Sequence, residues 1–278
     1  MSLKLTCVTA TFNVLAGGNR EQLIRCVRSV ASLKVDHEHL IYDGASTDGT
    51  VELLMQLAKD IPNLRVVSEK DSGIYNALNK GVRDARGEWF YVLGCDDYIC
   101  HPKVLDELMT TVGRDKEVIV SPVERETPSF YHRLLDLRHA IRKMTYGHQG
   151  MIVRTETVRR LGGFNEKYRY AADWDFMLRV HAACCQMLYT TTPYAFFSAG
   201  GTSDVSRAAS KAEAEGIHRA FLKLTEREEE LFNQDGRLPL HAIRPYLLHR
   251  DGAFRFSAWY CVLRWLCQPI VCAILRRK

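Results

Sequence analysis

The sequence predicts an α/β fold: a mixed, mainly parallel sheet flanked by helices, followed by a helical C-terminal extension. Three observations predict it. Short apolar runs alternate with amphipathic segments of helical period through the first hundred residues. Each apolar run ends in a cluster of polar or acidic residues, as strands do where they feed loops at one edge of a parallel sheet. From about residue 205 the strand-like runs give way to polar, helical sequence.

In chain order, residues 3–10 (LKLTCVTA) read as a buried strand. A helix follows, with Asn19 as N-cap, Gln22 three residues on, and Leu23, Val27 and Val30 at helical spacing. The run HLIYDGASTDGT is a strand that stops at Asp43 and enters a Gly/Ser/Thr/Asp loop. There Ser46 or Thr47 is expected to cap the next helix, whose apolar face is Val51, Leu54, Met55 and Ala58, with Asp48 a turn former. LRVVS is a third strand. IYNALNKGVRDA is a third helix, with Ile74, Leu78 and Val82 on one side and Gly87 just past its end. The fourth strand, in EWFYVLGCDD, ends on two adjacent carboxylates, Asp96 and Asp97. The helix that follows begins near Pro102, and Cys184-Cys185 read as packing residues on a later apolar helix. Gly162-Gly163 and Gly200-Gly201 read as tight turns.

Composition narrows the function. The chain has 278 residues, 46% hydrophobic and 26% charged, and a net charge of +5 spread along most of its length. A nucleic-acid binder would gather its basic residues into a stripe, so no nucleic-acid partner is expected. The nine cysteines include no paired C-x-x-C set of zinc type. MSLKLTCVTATFN is too short and polar for a secretory leader. The expectation is therefore a cytoplasmic chain with free thiols. Neither G-x-G-x-x-G nor G-x-x-x-x-G-K-[ST] is present, so the usual dinucleotide and ATP cradles are missing.

In a parallel sheet, ligands sit beyond the carboxyl ends of the strands. Asp43, the run SEKDSG and the Asp96-Asp97 pair should all meet there. Two neighbouring anions at such an edge suit a hard divalent cation, Mn2+ or Mg2+. Such an ion takes carboxylate oxygens and leaves positions open for phosphate.

Four ordered motifs carry a resemblance: TCVTATFN, YDGASTDGT, SEKDSGIYNALNKGVRDARGEWFYVLGCDD and GGFNEKYRYAADWDFMLR. Over residues 3–204 the chain resembles the family-2 inverting glycosyltransferases of the GT-A fold, nearest to bacterial members that build O-antigen, capsule and other exopolysaccharides. The resemblance implies a glycosyltransferase domain over residues 1–204 and a helical extension over 205–278. It implies a nucleotide-sugar donor, a UDP-sugar first, and a glycan or lipid-linked saccharide acceptor. Carried onto this sequence, Asp97 would hold the metal and Asp96 would contact the donor's ribose or sugar. Asp43 would read the base, Thr9 and Thr11 would wrap the nucleoside, and Asp71 would form a wall of the donor pocket. Asp173 falls where the family has its general base. Ala172 replaces the acidic neighbour usual in that motif, and Asp175 is the alternative base. His148, in YGHQGMIVR, lines the acceptor pocket, approaches the metal, or orients a loop through a hydrogen bond.

The tail over residues 253–278 spaces Phe256, Trp259, Tyr260, Leu263, Leu266 and Ile270 helically among basic residues. Arg264, Gln268 and Pro269 interrupt it too heavily for a comfortable span of about 20 apolar residues. A basic amphipathic helix instead suits peripheral contact with the inner face of the membrane, or packing on the main domain or a second subunit. Two other functions fit part of the pattern: a nucleotidyltransferase of similar architecture, and a non-catalytic nucleotide- or glycan-binding module.

Overall fold

The computed structural model describes residues 3–125, 146–199, 206–235, 238–248, 250, 255 and 258–263. Gly200-Gly201 and most of the 253–278 tail lie outside the described residues.

The first half alternates as expected: β1 (Leu5–Thr11), α1 (Arg20–Ala31), β2 (His37–Asp43), α2 (Thr50–Asp60), β3 (Leu64–Ser68), α3 (Ile74–Asp84) and β4 (Trp89–Val92). Then come β5 (Tyr98–Ile99), α4 (Pro102–Thr111), β6 (Val118–Val120), β7 (Val123–Arg125), β8 (Met151–Arg154) and α5 (Thr155–Arg160). α6 (Ala172–Ala182), β9 (Met187–Tyr189) and β10 (Ala195–Phe197) follow, and helices over Arg207–Leu222 and Glu226–Asp235 begin the extension.

Among the described residues, seven strands form one sheet in the order β3-β2-β1-β4-β8-β6-β9, and β8 alone runs against its neighbours. The strand order reverses between β1 and β4, so a crevice opens at their carboxyl ends, where ligands bind in such sheets. Register places Thr11 opposite Asp43 and Asp43 opposite Ser68, three polar residues abreast on the carboxyl edge. A smaller sheet, β5-β10-β7, sits just beyond Asp97.

Both faces of the main sheet are covered, which explains why its strands are almost continuously apolar. Val8, Leu40, Phe90 and Val153 pack on one side, and Leu5, Cys7, Trp89 and Ile152 on the other. The extension is built into the first of these layers. Ile217, Leu222, Leu238, Ala242 and Ala258 share a core with Val8 and Trp174.

Several local expectations are corrected. Asn19 stands at the N-cap of α1, but its side chain makes no capping hydrogen bond. α2 starts only at Thr50, after Gly49 at φ +92°, so neither Ser46 nor Thr47 caps it. Ser46 is drawn instead to the Asp43 carboxylate, through Ala45 in the left-handed region at φ +64°. Met55 and Ile74 are 52% and 48% exposed, because Leu53 and Tyr75 take the inward positions of their helices. Gly87 is no helix stop but a crossing point. A Cβ there would meet the Leu5 carbonyl carbon at 2.5 Å and the Thr6 backbone nitrogen. α6 ends at Ala182, so Cys184, at φ +54°, and Cys185 follow the helix rather than lie on it. Asp48 is the expected turn former, accepting from Ala16 N at 2.7 Å and Thr50 Oγ1 at 2.7 Å.

Candidate active site

Asp97 leaves β4 through a sharp turn in which its backbone N–H donates to Gly94 O. Its carboxylate is 2% exposed, accepting from Gln149 Nε2 at 2.9 Å and Ser198 N at 2.9 Å. A Cβ at position 94 would come within 2.6 Å of Asp97 Oδ2 and 3.0 Å of Asp96 Oδ1, so the two carboxylates fit only because residue 94 is glycine. Burial, with the neighbouring Asp96 charge adding to it, pushes the Asp97 carboxyl up to about 6. A buried carboxylate that ionises this reluctantly is one that a cation would relieve. The Asp96 carbonyl accepts from Ser198 Oγ at 2.7 Å. Arg25 Nη2 also reaches Ser198 Oγ, at 3.3 Å.

Asp173 is the second residue of α6. Its Oδ1 accepts from Trp174 N at 2.9 Å and from the Tyr75 hydroxyl at 3.3 Å, and its Oδ2 accepts from His148 Nδ1 at 3.2 Å. The Asp173 side chain is 17% exposed, so it remains open to solvent on one side. Burial opposes charge on His148, but its hydrogen bond to Asp173 and the Asp173, Asp97 and Asp96 charges outweigh burial and raise its pKa. Burial and the Asp173 charge hold the Tyr75 phenol well above its ordinary range, keeping it a donor.

The two carboxylates are joined by consecutive residues: His148 holds Asp173 while Gln149 holds Asp97. Asp175 is elsewhere. It pairs with Arg179, whose Nε lies 2.8 Å away and whose other nitrogens reach Leu161 O and Gly163 O.

At the neighbouring strand ends, Asp43 is 1% exposed, and its four acceptor positions are taken by Thr11 Oγ1, Ser46 N, Ser46 Oγ and Ser68 Oγ. Asp71 accepts from Gly73 N at 2.9 Å and lies over Gly44, where a Cβ would meet its Oδ2 at 2.9 Å. Thr9 does not join them. Its side chain is fully buried between strands, bonded to His39 Nε2 at 2.9 Å and Leu93 O at 2.9 Å, so it faces no opening. Position along the strand is the reason: the two threonines share one face, but Thr11 reaches the free end of the sheet while Thr9 is still covered by Cys26 of α1.

Sequence reasoning missed Gln149, Ser198, Tyr75 and Phe12. Phe12, at the end of β1, is 65% exposed despite being aromatic, and that adjacency to a strand end was the available signal. Nothing local marks Ser198, which acts only because β10 runs antiparallel to β5. Among the described residues, the tight group of three side chains with metal-ligating atoms is Cys100, His101 and Glu124, on the smaller sheet.

The profile of Glycosyl transferase family 2 matches residues 6–176, more than half of the chain. The chain belongs to glycosyl transferase family 2. This glycosyltransferase is similar to the PGL/p-HBAD biosynthesis glycosyltransferase of Mycobacterium bovis (strain BCG / Pasteur 1173P2). The two are 29% identical over 177 residues, covering 62% of this chain and 67% of the relative. Its fold is similar to that of the mannosyltransferase PcManGT from Pyrobaculum calidifontis, solved with GDP-Man and Mn2+. The TM-score is 0.63 at 18% identity, over 100% of this chain and 81% of that one. It is similar too to S. aureus TarS 1-349 in complex with UDP-GlcNAc, with TM-score 0.63 at 16% identity, over 96% of this chain and 92% of that one. It spans 42% of a longer TarS chain. The mixed sheet of the glycosyltransferase is thus of the GT-A kind expected.

Proposed function

We propose that the chain transfers a sugar, with inversion, from a nucleotide-sugar to a hydroxyl of a glycan or lipid-linked saccharide, with Mn2+ or Mg2+ held at Asp97. The observation that carries this reading is the pairing of His148 with Asp173 and of Gln149 with Asp97, which fixes an anion suited to a cation beside an anion suited to a proton. UDP-GlcNAc in the TarS structure and GDP-Man with Mn2+ in PcManGT support a nucleotide-sugar donor and a divalent ion, with a UDP-sugar the first choice.

The residues at Asp97 fit such an ion. The donor set is oxygen, the carboxyl is raised by burial, and Gly94 keeps the approach clear. A cation held at Asp97 would supply charge to neutralise the diphosphate that leaves. The rest is the work of the chain's own residues. Asp173 accepts the proton of the attacking hydroxyl, and Tyr75 and His148 keep its carboxylate aimed. Asp175, engaged with Arg179, is the weaker candidate for this role. Asp96 and Asp71 flank the donor. The base lies against Phe12, and the Ser46 hydroxyl turns away from Asp43 to free an acceptor for it.

The M. bovis relative's role in PGL/p-HBAD biosynthesis supports a surface glycan or glycolipid product. Leu248, Leu263 and Trp259, respectively 89%, 56% and 48% exposed near the C-terminal end, support peripheral membrane contact. No described helix is long and apolar enough to cross a membrane.

The test is a panel of nucleotide-sugars with Mn2+ or Mg2+, reading release of nucleoside diphosphate and the anomeric configuration of the product by NMR. Asp97→Ala should abolish metal-dependent donor binding, and Asp173→Asn should spare binding while stopping turnover. Release of pyrophosphate instead would make the chain a nucleotidyltransferase. Binding without turnover would make it a binding module. A product of retained configuration would overturn direct displacement.

A further inference from the structure

We propose that Glu213, in the C-terminal extension, is a positioning residue for the catalytic carboxylate, so that the extension is part of the catalytic unit rather than an appendage. The proposal rests on the assignment of Asp173 as general base.

α6 has no cap of its own: Ala171 occupies the N-cap position and offers no side-chain acceptor. The backbone N–H groups leading into α6 are bonded instead by one carboxylate from far along the chain. Glu213 Oε1 accepts from Arg169 N at 2.6 Å, and its Oε2 accepts from Tyr170 N at 2.6 Å and Ala171 N at 2.7 Å. Charge-assisted bonds of this length are the strong ones, and a carboxylate at a helix N-terminus also complements the helix dipole. Three successive peptide planes are thereby fixed two residues before Asp173. Helical geometry then fixes where the Asp173 side chain leaves the backbone.

The clamp is itself held. Its helix, Arg207–Leu222, buries Ile217 and Leu222 in the core that also contains Trp174 and Phe176 of α6. A shift of that helix would therefore pull on the loop before Asp173. Tyr75, from α3, and His148, from the turn before β8, act on the carboxylate itself, while Glu213 sets the backbone that leads to it. Misplacing a reacting group by about 1 Å costs on the order of a hundredfold in rate, so loosening this loop should lower turnover without touching the donor pocket.

The experiment compares the full chain with Glu213→Gln, Glu213→Asp, Asp173→Asn and the control Glu215→Gln. The probe is whichever of UDP-GlcNAc and the other nucleotide-sugars the wild type hydrolyses fastest with Mn2+. kcat and donor KM are measured together with amide hydrogen exchange over residues 165–176. The amide of Gln cannot accept three N–H groups, so Glu213→Gln should speed exchange at 169–171. It should lower kcat by roughly ten- to a hundredfold, with donor KM within about twofold. Glu213→Asp, which keeps the charge, should fall in between, and it carries the comparison should the Gln variant not fold. Glu215→Gln, which removes only a surface ion pair with Lys211 one turn away, should leave both readouts unchanged. Faster exchange with unchanged kcat, or unchanged exchange at 169–171, would overturn the positioning role. Unchanged kcat in Asp173→Asn would instead overturn the base assignment, and the exchange data separate the two failures.

Discussion

Replacing the buried Asp97 carboxylate should stabilise the protein in the absence of a cation. In Asp97→Asn the side chain keeps its size but loses the ability to ionise. Burial and Asp96 raise the Asp97 carboxyl from 3.8 to about 6, roughly two units, and each unit is worth about 1.4 kcal/mol. The sign follows from linkage. A carboxyl raised in the folded state favours folding most below its unfolded pKa near 3.8. That contribution is lost as pH rises through about 6, so the full penalty, about 3 kcal/mol, is present at neutral pH. Asn can still accept from Ser198 N, but Gln149 must turn its amide, a loss of about 1 kcal/mol. The net gain is then about 2 kcal/mol, or roughly 3–4 °C in melting temperature for a chain of this size. Thermal melts in EDTA from pH 4 to pH 8 read it directly. The variant should match or fall slightly below the wild type near pH 4, overtake it between pH 4 and 6, and stay above it thereafter. Mn2+ with UDP should narrow the gap by stabilising only the wild type. A variant less stable than the wild type at every pH would refute the reasoning that this site stores unrelieved negative charge.

Other consequences are as direct. Gly87→Ala, which drives a methyl against the backbone of Leu5 and Thr6, should cost about 2–3 kcal/mol in urea melts, more than an exposed Gly→Ala change could. Gly94→Ala should leave the fold intact but displace Asp97 and Asp96, weakening Mn2+-dependent donor binding at least tenfold by titration calorimetry. Deleting the whole 253–278 tail would remove the buried Ala258 and Cys261, so membrane contact is better tested by Leu248→Gln with Leu263→Gln. That pair should reduce co-sedimentation with anionic vesicles while leaving the melting temperature within a degree or two, and unchanged sedimentation would assign these side chains to another role.

The parallel half of the sheet was legible because its strands are buried on both faces and end on polar residues. His37–Asp43 stops where the sequence turns acidic, and Leu64–Ser68 matches the LRVVS run residue for residue. The carboxylates at the edge were legible for the same reason. Helix starts and faces were less so. Ser46 had two acceptable partners, a helix end and Asp43, and only the fold brings the second within 2.5 Å. Thr9 and Thr11 looked alike in sequence, yet one is sealed between strands and the other sits at the edge. Residues that work through long-range pairing left no local trace. Ser198 reaches Asp97 across 101 positions, and Glu213 reaches Ala171 across 42. The extension read as an appendage because its polar composition hides the few side chains, Ile217 and Leu222 among them, that bind it to the core.

The most direct measurement is the anomalous scattering of Mn2+ in crystals of the wild-type chain soaked with the ion and UDP. A peak at the Asp97 carboxylate, beside the diphosphate of the bound UDP, is the expected result. A peak found only at Cys100, His101 and Glu124, or none near Asp97 with UDP bound, would contradict it.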